Sequence, residues 1–216
     1  MIAYKSTLGN ALNIAVIFSL PAMFGLIILS NYIIISLFQY GSFTTNDTLM
    51  SSMSLMAYSI GLPAFILMKV LLTGFFSRQD TKTPVRYGIM AVGFNVVMNL
   101  SVLAYYLHNP FDGAHAFLAL ATSLSAWLQV FLLYKHLRKY DYISKSIFKT
   151  KPSYQSLFSC IIMTIILSYT LLDVLEWTQN TYYIRGALLL IYIALGAAIY
   201  TSTMYILGYK IKKNYI

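Results

Sequence analysis

The sequence predicts an all-α, polytopic membrane protein with six transmembrane helices. Hydrophobic residues make up 59% of its 216 residues and charged residues only 10%, and the mean hydropathy is +0.69. These values lie far outside the range of an ordinary soluble domain. The apolar residues also fall into long runs of about 20 residues, the length that a helix rising about 1.5 Å per residue needs to cross a bilayer.

The six spans follow one another with short polar connections between the first four. We place them at Ala11–Leu29, Met50–Phe76, Arg86–Leu107, Ala116–Tyr134, Leu157–Leu175 and Tyr183–Leu207. The second span is longer than a bilayer requires, which predicts a tilt, or a kink near Gly61–Pro63 where the proline interrupts helical hydrogen bonding. Asn31–Tyr40 is too short to cross again, so we expect an interfacial continuation of the first helix.

The basic residues predict the orientation of the helices. Thirteen of the 15 lysines and arginines fall on one side, namely Lys5, Arg78, Lys82, Arg86, Lys135, Arg138, Lys139, Lys145, Lys149, Lys151, Lys210, Lys212 and Lys213. The opposite side carries only Arg185, and Lys69 lies within a span. Because short loops rich in Lys and Arg stay in the cytoplasm, both termini are predicted to be cytoplasmic.

The same charges argue against several other classes of protein. The net charge of +9 is spread over loops between apolar spans, so it reflects topology and does not indicate a nucleic-acid partner. The single cysteine, Cys160, supports neither a disulfide nor a metal site. We find no pairing of His with a carboxylate and no phosphate-cradling glycine loop, so neither an enzyme nor a cofactor is predicted.

The chain divides into two parts at its most basic stretch. Residues 1–140 hold four transmembrane helices, and residues 141–216 hold a basic cytoplasmic loop and a terminal helical pair. The terminal pair carries few polar groups beyond hydroxyls that bond their own backbone. Asp173, Glu176 and Trp177 are expected at the outer interface, where such residues cost little.

One segment, Gly61–Arg86, carries most of the information about function. It reads GLPAFILMKVLLTGFFSRQDTKTPVR, an apolar run with one lysine, a charged turn, and a proline at the start of the next helix. This sequence segment is similar to one found in the MurJ (MviN) family of lipid II flippases. Shorter strings in the family order support the resemblance from about residue 9 to residue 140: Leu20-Pro21-Ala22, Ser36–Thr44, Met98–Leu100 and Leu132–Lys139.

The resemblance implies a fold, a location and a function. Members of the family have fourteen helices in two six-helix lobes and a terminal pair, and this chain resembles the last six. It is therefore expected to be a fragment, a split-gene product or a truncated reading frame, with an N-terminal lobe and its anion-binding arginines elsewhere. The implied activity is flipping of lipid II, or a similar polyprenyl-linked anionic glycolipid, across the bacterial cytoplasmic membrane by alternating access for peptidoglycan synthesis.

Two other functions stay open. The first is export of a drug or a polysaccharide by a member of the same superfamily, against which the RQDTKTP turn argues. The second is a membrane protein that does not transport, such as a degenerate fragment or an assembly partner. The resemblance further implies that the terminal pair forms an apolar groove for the polyprenyl tail.

Lys69 lies about 10 Å of helical rise from the cytoplasmic end of its span. Its ammonium either reaches the interface along a flexible stem or faces a central cavity and attracts the phosphates of the substrate. The charged turn of Arg78, Asp80 and Lys82 has two interpretations as well. It forms either a local ion pair with Asp80 bracing the loop, or a cytoplasmic gate that pairs with the missing lobe.

The third and fourth spans each carry a polar helical face. The spacing of three or four residues places the members of each set on one side of the helix: Gly88, Ala91, Asn95 and Asn99 on the third, and Thr122, Ser125 and Gln129 on the fourth. These residues are either packing and hydrogen-bonding contacts between helices, or a polar cavity lining that includes a cation site. Some family members have a carboxylate where Asn99 stands, so binding of a cation here is doubtful.

Overall fold

The computed structural model describes residues 2–111, 113–143 and 150–209. The elements are α1 (Ile2–Phe38), α2 (Thr45–Phe76), α3 (Lys82–His108), α4 (Ala114–Lys139), α5 (Lys151–Thr170), α6 (Val174–Gln179) and α7 (Tyr182–Ile206). Six of these helices, all except α6, are long and apolar enough to cross a membrane. The predicted all-α fold with six transmembrane helices is therefore confirmed. Of the basic residues used for the topology, Lys145, Lys149, Lys210, Lys212 and Lys213 lie outside the described residues.

The first two helices are longer than the apolar runs that predicted them. Asn31–Tyr40 does continue the first helix, since α1 runs unbroken to Phe38 and buries Ile35. At the start of α2, the Thr44 hydroxyl accepts the backbone N–H of Asp47 at 3.2 Å, and the Asp47 carboxylate accepts the backbone N–H of Thr44 at 2.8 Å. This capping box satisfies two groups that the first turn of a helix leaves unpaired. The helix then continues through Pro63 to Phe76.

Helices α1, α2 and α4 form the densest part of the molecule. Their shared core contains Leu12, Leu67, Leu71 and Leu133, each at most 1% exposed. At the crossing of α2 and α4, a Cβ atom added to Gly61 would lie 2.7 Å from the Ser123 Oγ and 2.9 Å from the Ser123 Cα. Only glycine permits this approach, so the two backbones pack almost directly on each other.

Helix α3 lies at the edge of this block and packs against α4. Pro84 and Ala91 are its buried residues, and a row of large apolar side chains along the rest of the helix is exposed. In a membrane, lipid tails provide an apolar environment for such a surface, so a helix of this kind does not need burial inside the protein.

Helices α5 and α7 pack on the other side of α1. Ile17 of α1 meets Cys160, Met163 and Leu167 of α5 and Tyr200 and Met204 of α7 in a second core. At the end of the bundle where α1 ends, Ile35, Trp177 and Leu189 form a third core. Helix α1 therefore contacts both parts of the chain.

The structure corrects the sequence-based end of the fifth span and shows what surrounds Trp177. The predicted span Leu157–Leu175 runs past the end of α5 at Thr170, and the chain then turns into the short helix α6. Trp177, expected at the outer interface, lies in α6 and is fully buried, because its ring packs edge-on against Tyr32 at 4.8 Å between ring centroids. Its indole N–H donates to the Ser36 Oγ at 3.0 Å. Glu176 is part of the same helix.

Candidate functional site

A chain of hydrogen bonds joins the polar faces of α3 and α4. The amide N–H of Asn99 donates to the Asn95 Oδ1 at 3.1 Å, and the amide N–H of Asn95 donates to the Thr122 Oγ1 at 3.3 Å. The Thr122 hydroxyl in turn donates to the Leu118 carbonyl at 3.2 Å. Residues four apart on one helix lie above one another, so the sequence spacing brings Asn95 and Asn99 together.

The other predicted members of these faces lie along the same contact. Ser125 donates to the Thr122 carbonyl at 2.8 Å, so its hydroxyl is used within its own helix. The Gln129 Nε2 lies 3.4 Å from the position of a Cβ added to Gly88, which places the amide against the glycine of the facing helix. Ala91, on the same face of α3, is buried. The structure thus brings together the polar faces of α3 and α4 over several turns.

The network leaves one acceptor open. The Asn99 Oδ1 is buried, and no described residue donates a hydrogen bond to it. In the described residues, no group of three or more His, Cys, Asp or Glu side chains is placed to hold a metal ion. The arrangement is a neutral amide and hydroxyl network, in which most groups already pair with one another. Chemically it suits hydrogen bonding to a polar group or packing between two helices.

Lys69 is separate from this network. Its side chain is exposed and shares an exposed stripe of α2 with Thr73 and Phe76, at spacings of four and three. Within the described residues, no hydrogen bond or ion pair is found for its ammonium. The Lys69 ammonium can therefore interact with groups outside the described bundle, because it lies away from the core that α2 forms with α1 and α4.

The charged turn after α2 is held by contacts that the sequence did not indicate. In the described part of the chain, no ion pair joins Asp80 to Arg78 or Lys82, so the local ion pair of the first interpretation is not present. The Arg78 guanidinium lies over the Tyr142 ring, 3.2 Å from its centroid, and 5.2 Å from the centroid of Tyr4. An arginine stacked on aromatic faces is stabilised by its attraction to the π electrons.

Asp80 does brace the loop. Its carboxylate accepts the backbone N–H of Thr83 at 3.0 Å. That hydrogen bond, together with a smaller contribution from the Thr83 hydroxyl, holds the pKa of the Asp80 carboxyl below its usual range. Arg78 and Asp80 line one pocket, whereas Lys82 lies on the exposed surface with Arg86.

Sequence reasoning missed the aromatic cluster around His136 in this pocket. The Nδ1 of His136 is 3.1 Å from the Tyr87 hydroxyl, and its ring lies 5.5 Å from Phe75 and 4.9 Å from Tyr140 between centroids. Nearby, Lys5 forms an ion pair with Asp141. The spacing of His136 and Tyr140 by four residues was the one local signal, because the other partners come from distant parts of the chain.

An apolar groove lies between α1, α5 and α7. Its volume is about 390 Å³. The walls combine small residues with large aliphatic ones, namely Pro21, Ala22, Gly25, Leu26, Leu29, Ile33, Met163, Leu167, Tyr192, Ile193, Gly196 and Ala197. A Cβ atom at Gly25 would touch nothing within 4 Å, so this wall leaves open space. Such a groove can hold an aliphatic chain.

Comparisons with known proteins agree along most of the chain. The sequence profile of the family described as "Lipid II flippase MurJ" matches residues 2–194. A probable lipid II flippase MurJ from Vibrio cholerae is 36% identical over 212 residues, which cover 97% of this chain and 38% of that protein. The corresponding protein of Haemophilus influenzae is 31% identical over 207 residues, which cover 96% of this chain and 39% of that protein.

A solved structure agrees with the sequence relatives. The lipid II flippase MurJ in its inward closed conformation superimposes with a TM-score of 0.73 at 25% identity, covering 94% of this chain and 39% of the flippase. The chain thus spans about two fifths of the length of the proteins that it matches. Since the profile match extends over most of the residues and the helices superimpose, this membrane protein belongs to the lipid II flippase MurJ family.

Proposed function

We propose that this chain forms part of a flippase that moves lipid II across the bacterial cytoplasmic membrane during cell-wall synthesis. The observation that carries the proposal is the combination of an apolar groove on α1, α5 and α7 with polar faces on α3 and α4 in one bundle. A lipid-linked sugar has the same two-part character, a long apolar tail and a polar, anionic head. Similarity to named lipid II flippases supports this choice of substrate.

The proposed mechanism is alternating access. A cavity opens to the cytoplasm, receives the anionic head, closes, and reopens on the outer side while the tail stays in lipid. In this mechanism Lys69 attracts the phosphates, which is supported by its exposed side chain and by the lack of an ion-pair partner among the described residues. Asn95, Asn99, Thr122, Ser125 and Gln129 would contribute polar groups to the cavity wall.

The charged turn would act as the cytoplasmic gate. Asp80 keeps the turn folded through the Thr83 N–H, and Arg78 is held on Tyr142. Lys82 is exposed and is the member of the turn placed to pair with an acidic group of another lobe. An N-terminal lobe of this kind, together with the lipid bilayer, is the proposed partner of the chain. Residues 1–140 would complete the second lobe, and residues 141–216 would carry the tail.

Complementation with a chimera tests the proposal. The part of the Vibrio cholerae relative that precedes the matched region is fused to residue 1 of this chain and expressed in cells depleted of their own flippase. We expect the chimera to restore growth, and residues 1–216 alone to fail at matched membrane levels. A correctly inserted chimera that does not restore growth would contradict the proposed function, and rescue by residues 1–216 alone would remove the need for a second lobe.

Substitutions of Lys69 in the same chimera test its role. If the ammonium attracts the phosphates, Lys69→Ala should impair growth and Lys69→Arg should retain part of it, since positive charge is the requirement. If the side chain only reaches toward the interface, Lys69→Leu should function normally, because leucine avoids the cost of a charge in the membrane. Normal growth with Lys69→Leu would remove Lys69 from the proposed site.

A further inference from the structure

Pro21 interrupts the hydrogen bonding of α1 at one defined atom. Proline has no backbone N–H, so the carbonyl of Ile17, four residues earlier, lacks its usual partner within the helix. The structure supplies a donor from another helix. The Tyr200 hydroxyl of α7 donates to the Ile17 carbonyl at 2.7 Å, and the two residues are only 6% and 7% exposed.

A third helix takes part in the same arrangement. The Ser156 Oγ of α5 lies 2.8 Å from the Tyr200 Oη. Because the tyrosine proton is directed to the Ile17 carbonyl, Ser156 is the donor and Tyr200 the acceptor in this second bond. Both hydroxyls are buried, where no water competes for them. An unpaired carbonyl is costly in a membrane, so one tyrosine joins α1, α5 and α7 at a single point.

This point lies at the inner end of the apolar groove. Pro21 and Ala22 of α1 and Gly196 and Ala197 of α7 line the groove, about one helical turn from Ile17 and Tyr200 respectively. Beyond the other end of the groove, the indole N–H of Trp177 donates to the Ser36 Oγ. Ile17 and Ser36 are separated along α1 by roughly 28 Å of helical rise, close to the hydrocarbon thickness of about 30 Å.

We propose that Tyr200 is a positioning residue, which holds α7 at the distance from α1 at which the groove is open along its length. The hydroxyl replaces the N–H that Pro21 lacks, so the spacing of the two helices is determined by one bond. That the groove holds a polyprenyl chain rests on the proposed function. The position of α7 relative to α1 does not, so the two parts are tested separately.

The first arm of the experiment measures the distance between the helices. Spin labels are attached to Phe18→Cys and Thr201→Cys in residues 1–216 carrying Cys160→Ala, in lipid nanodiscs. These two sites are exposed neighbours of Ile17 and Tyr200. We expect Tyr200→Phe to lengthen and broaden the distance distribution. The matched control is Tyr205→Phe, on the same helix with its side chain 78% exposed, which should leave the distribution unchanged.

Pro21→Ala separates positioning from a general loss of packing. Alanine restores the backbone N–H that bonds the Ile17 carbonyl within α1, so in that background Tyr200→Phe leaves no unpaired carbonyl but still lacks the bond between α1 and α7. The double variant is therefore expected to fold like the wild type and to keep the long, broad distribution. If Tyr200→Phe alone does not yield folded protein, the distance is measured in the double variant, where a narrow distribution like that of the wild type overturns the proposal. An unchanged distribution in Tyr200→Phe alone also overturns it.

The second arm uses undecaprenyl phosphate carrying a photoreactive diazirine. The yield of label on peptides that contain Met163 and Gly196 should fall severalfold both in Tyr200→Phe and in the double variant. A wild-type chain that takes up no label would refute the proposed occupant of the groove, while the distances still decide the role of Tyr200. Equal labelling of all variants despite altered distances would refute the claim that the Tyr200 bond keeps the groove open.

Discussion

Helix α1 has two sides that are built in opposite ways. Toward α2 and α4 it joins a filled core, in which Leu12 and Leu67 are 1% exposed and Ala64 is fully buried. Toward α5 and α7 the groove of about 390 Å³ separates the helices. On that side, hydrogen bonds at the two ends, from Tyr200 to Ile17 and from Trp177 to Ser36, fasten the terminal helices to α1.

The difference predicts which kinds of change each side tolerates. A filled interface has no room for added atoms, so it is sensitive to gains in volume. A groove has room, so it accepts small additions, and its stability depends on the few side chains that hold its ends. The following substitutions test this comparison, in order of decreasing expected effect.

Trp177→Ala is expected to destabilise the protein most. The side chain is fully buried, and truncation of a buried aromatic residue costs about 3–5 kcal/mol. It also leaves the Ser36 hydroxyl without the indole donor. Thermal unfolding in detergent, followed by intrinsic fluorescence or scattering, measures the change. Leu175→Ala is the control, since Leu175 is 75% exposed on the same short helix. Equal stability of the two variants would contradict the fastening role of α6.

Gly61→Ala and Gly25→Ala compare the two sides of the molecule directly. The Cβ at residue 61 would lie 2.9 Å from the Ser123 Cα, which must move, whereas the Cβ at residue 25 meets nothing within 4 Å. Gly61→Ala should therefore cost about 1–3 kcal/mol, the range for overpacking, and Gly25→Ala about 0. The melting temperatures of the two purified variants measure this. A comparable loss in both would show that the groove is not open space.

Ser123→Ala tests the polar part of the filled interface. The Ser123 hydroxyl donates to the Ala57 carbonyl of α2 at 2.6 Å, so its loss should cost about 1 kcal/mol. Ser101→Ala is the control, because Ser101 is exposed and bonds the Val97 carbonyl of its own helix. The same unfolding measurement applies. A larger loss of stability from Ser101→Ala than from Ser123→Ala would contradict the stronger role assigned to the Ser123 hydroxyl at the contact of α2 with α4.

Asp80→Asn should have the smallest effect, and its sign depends on pH. The pKa of Asp80 is lowered in the folded protein, so the ionised carboxylate stabilises the turn above its ordinary value of 3.8. This contribution is lost as the pH falls through the folded pKa. We expect Asp80→Asn to lower the melting temperature slightly at pH 7, and the difference from the wild type to shrink as the pH falls below 3.8. A difference that grows toward acidic pH would contradict the bond from Thr83.

Much of the fold was predictable because it depends on local sequence patterns. Long apolar runs predict transmembrane helices, and the residues at spacing four on α3 did meet the facing polar residues of α4. The end of α5 was not predictable in this way. Leu171, Leu172, Val174 and Leu175 continue the apolar pattern past Thr170, and a hydropathy average does not register one acidic residue, Asp173, as a helix boundary.

Contacts between residues far apart in the sequence were the second feature that could not be predicted. Arg78 stacks on Tyr142, so its nearest acidic neighbour in sequence, Asp80, was the wrong partner to expect. Trp177 was expected at the outer interface from its residue type, since tryptophan is common there, but its burial against Tyr32 and its bond to Ser36 were not predictable from that pattern. Pro21 leaves the Ile17 carbonyl without its helical donor, and no sequence pattern identified the Tyr200 hydroxyl that replaces it.

The length of α1 has a consequence for communication across the membrane. Its 37 residues extend roughly 55 Å, well beyond the hydrocarbon thickness of about 30 Å. One end is tied to the loop after α4 by the ion pair of Lys5 with Asp141, and the other carries Ser36 beneath α6. A rigid-body tilt of such a helix by about 10° would shift one end relative to the other by roughly 10 Å. Contacts of α1 near both membrane surfaces would therefore change together in any such tilt.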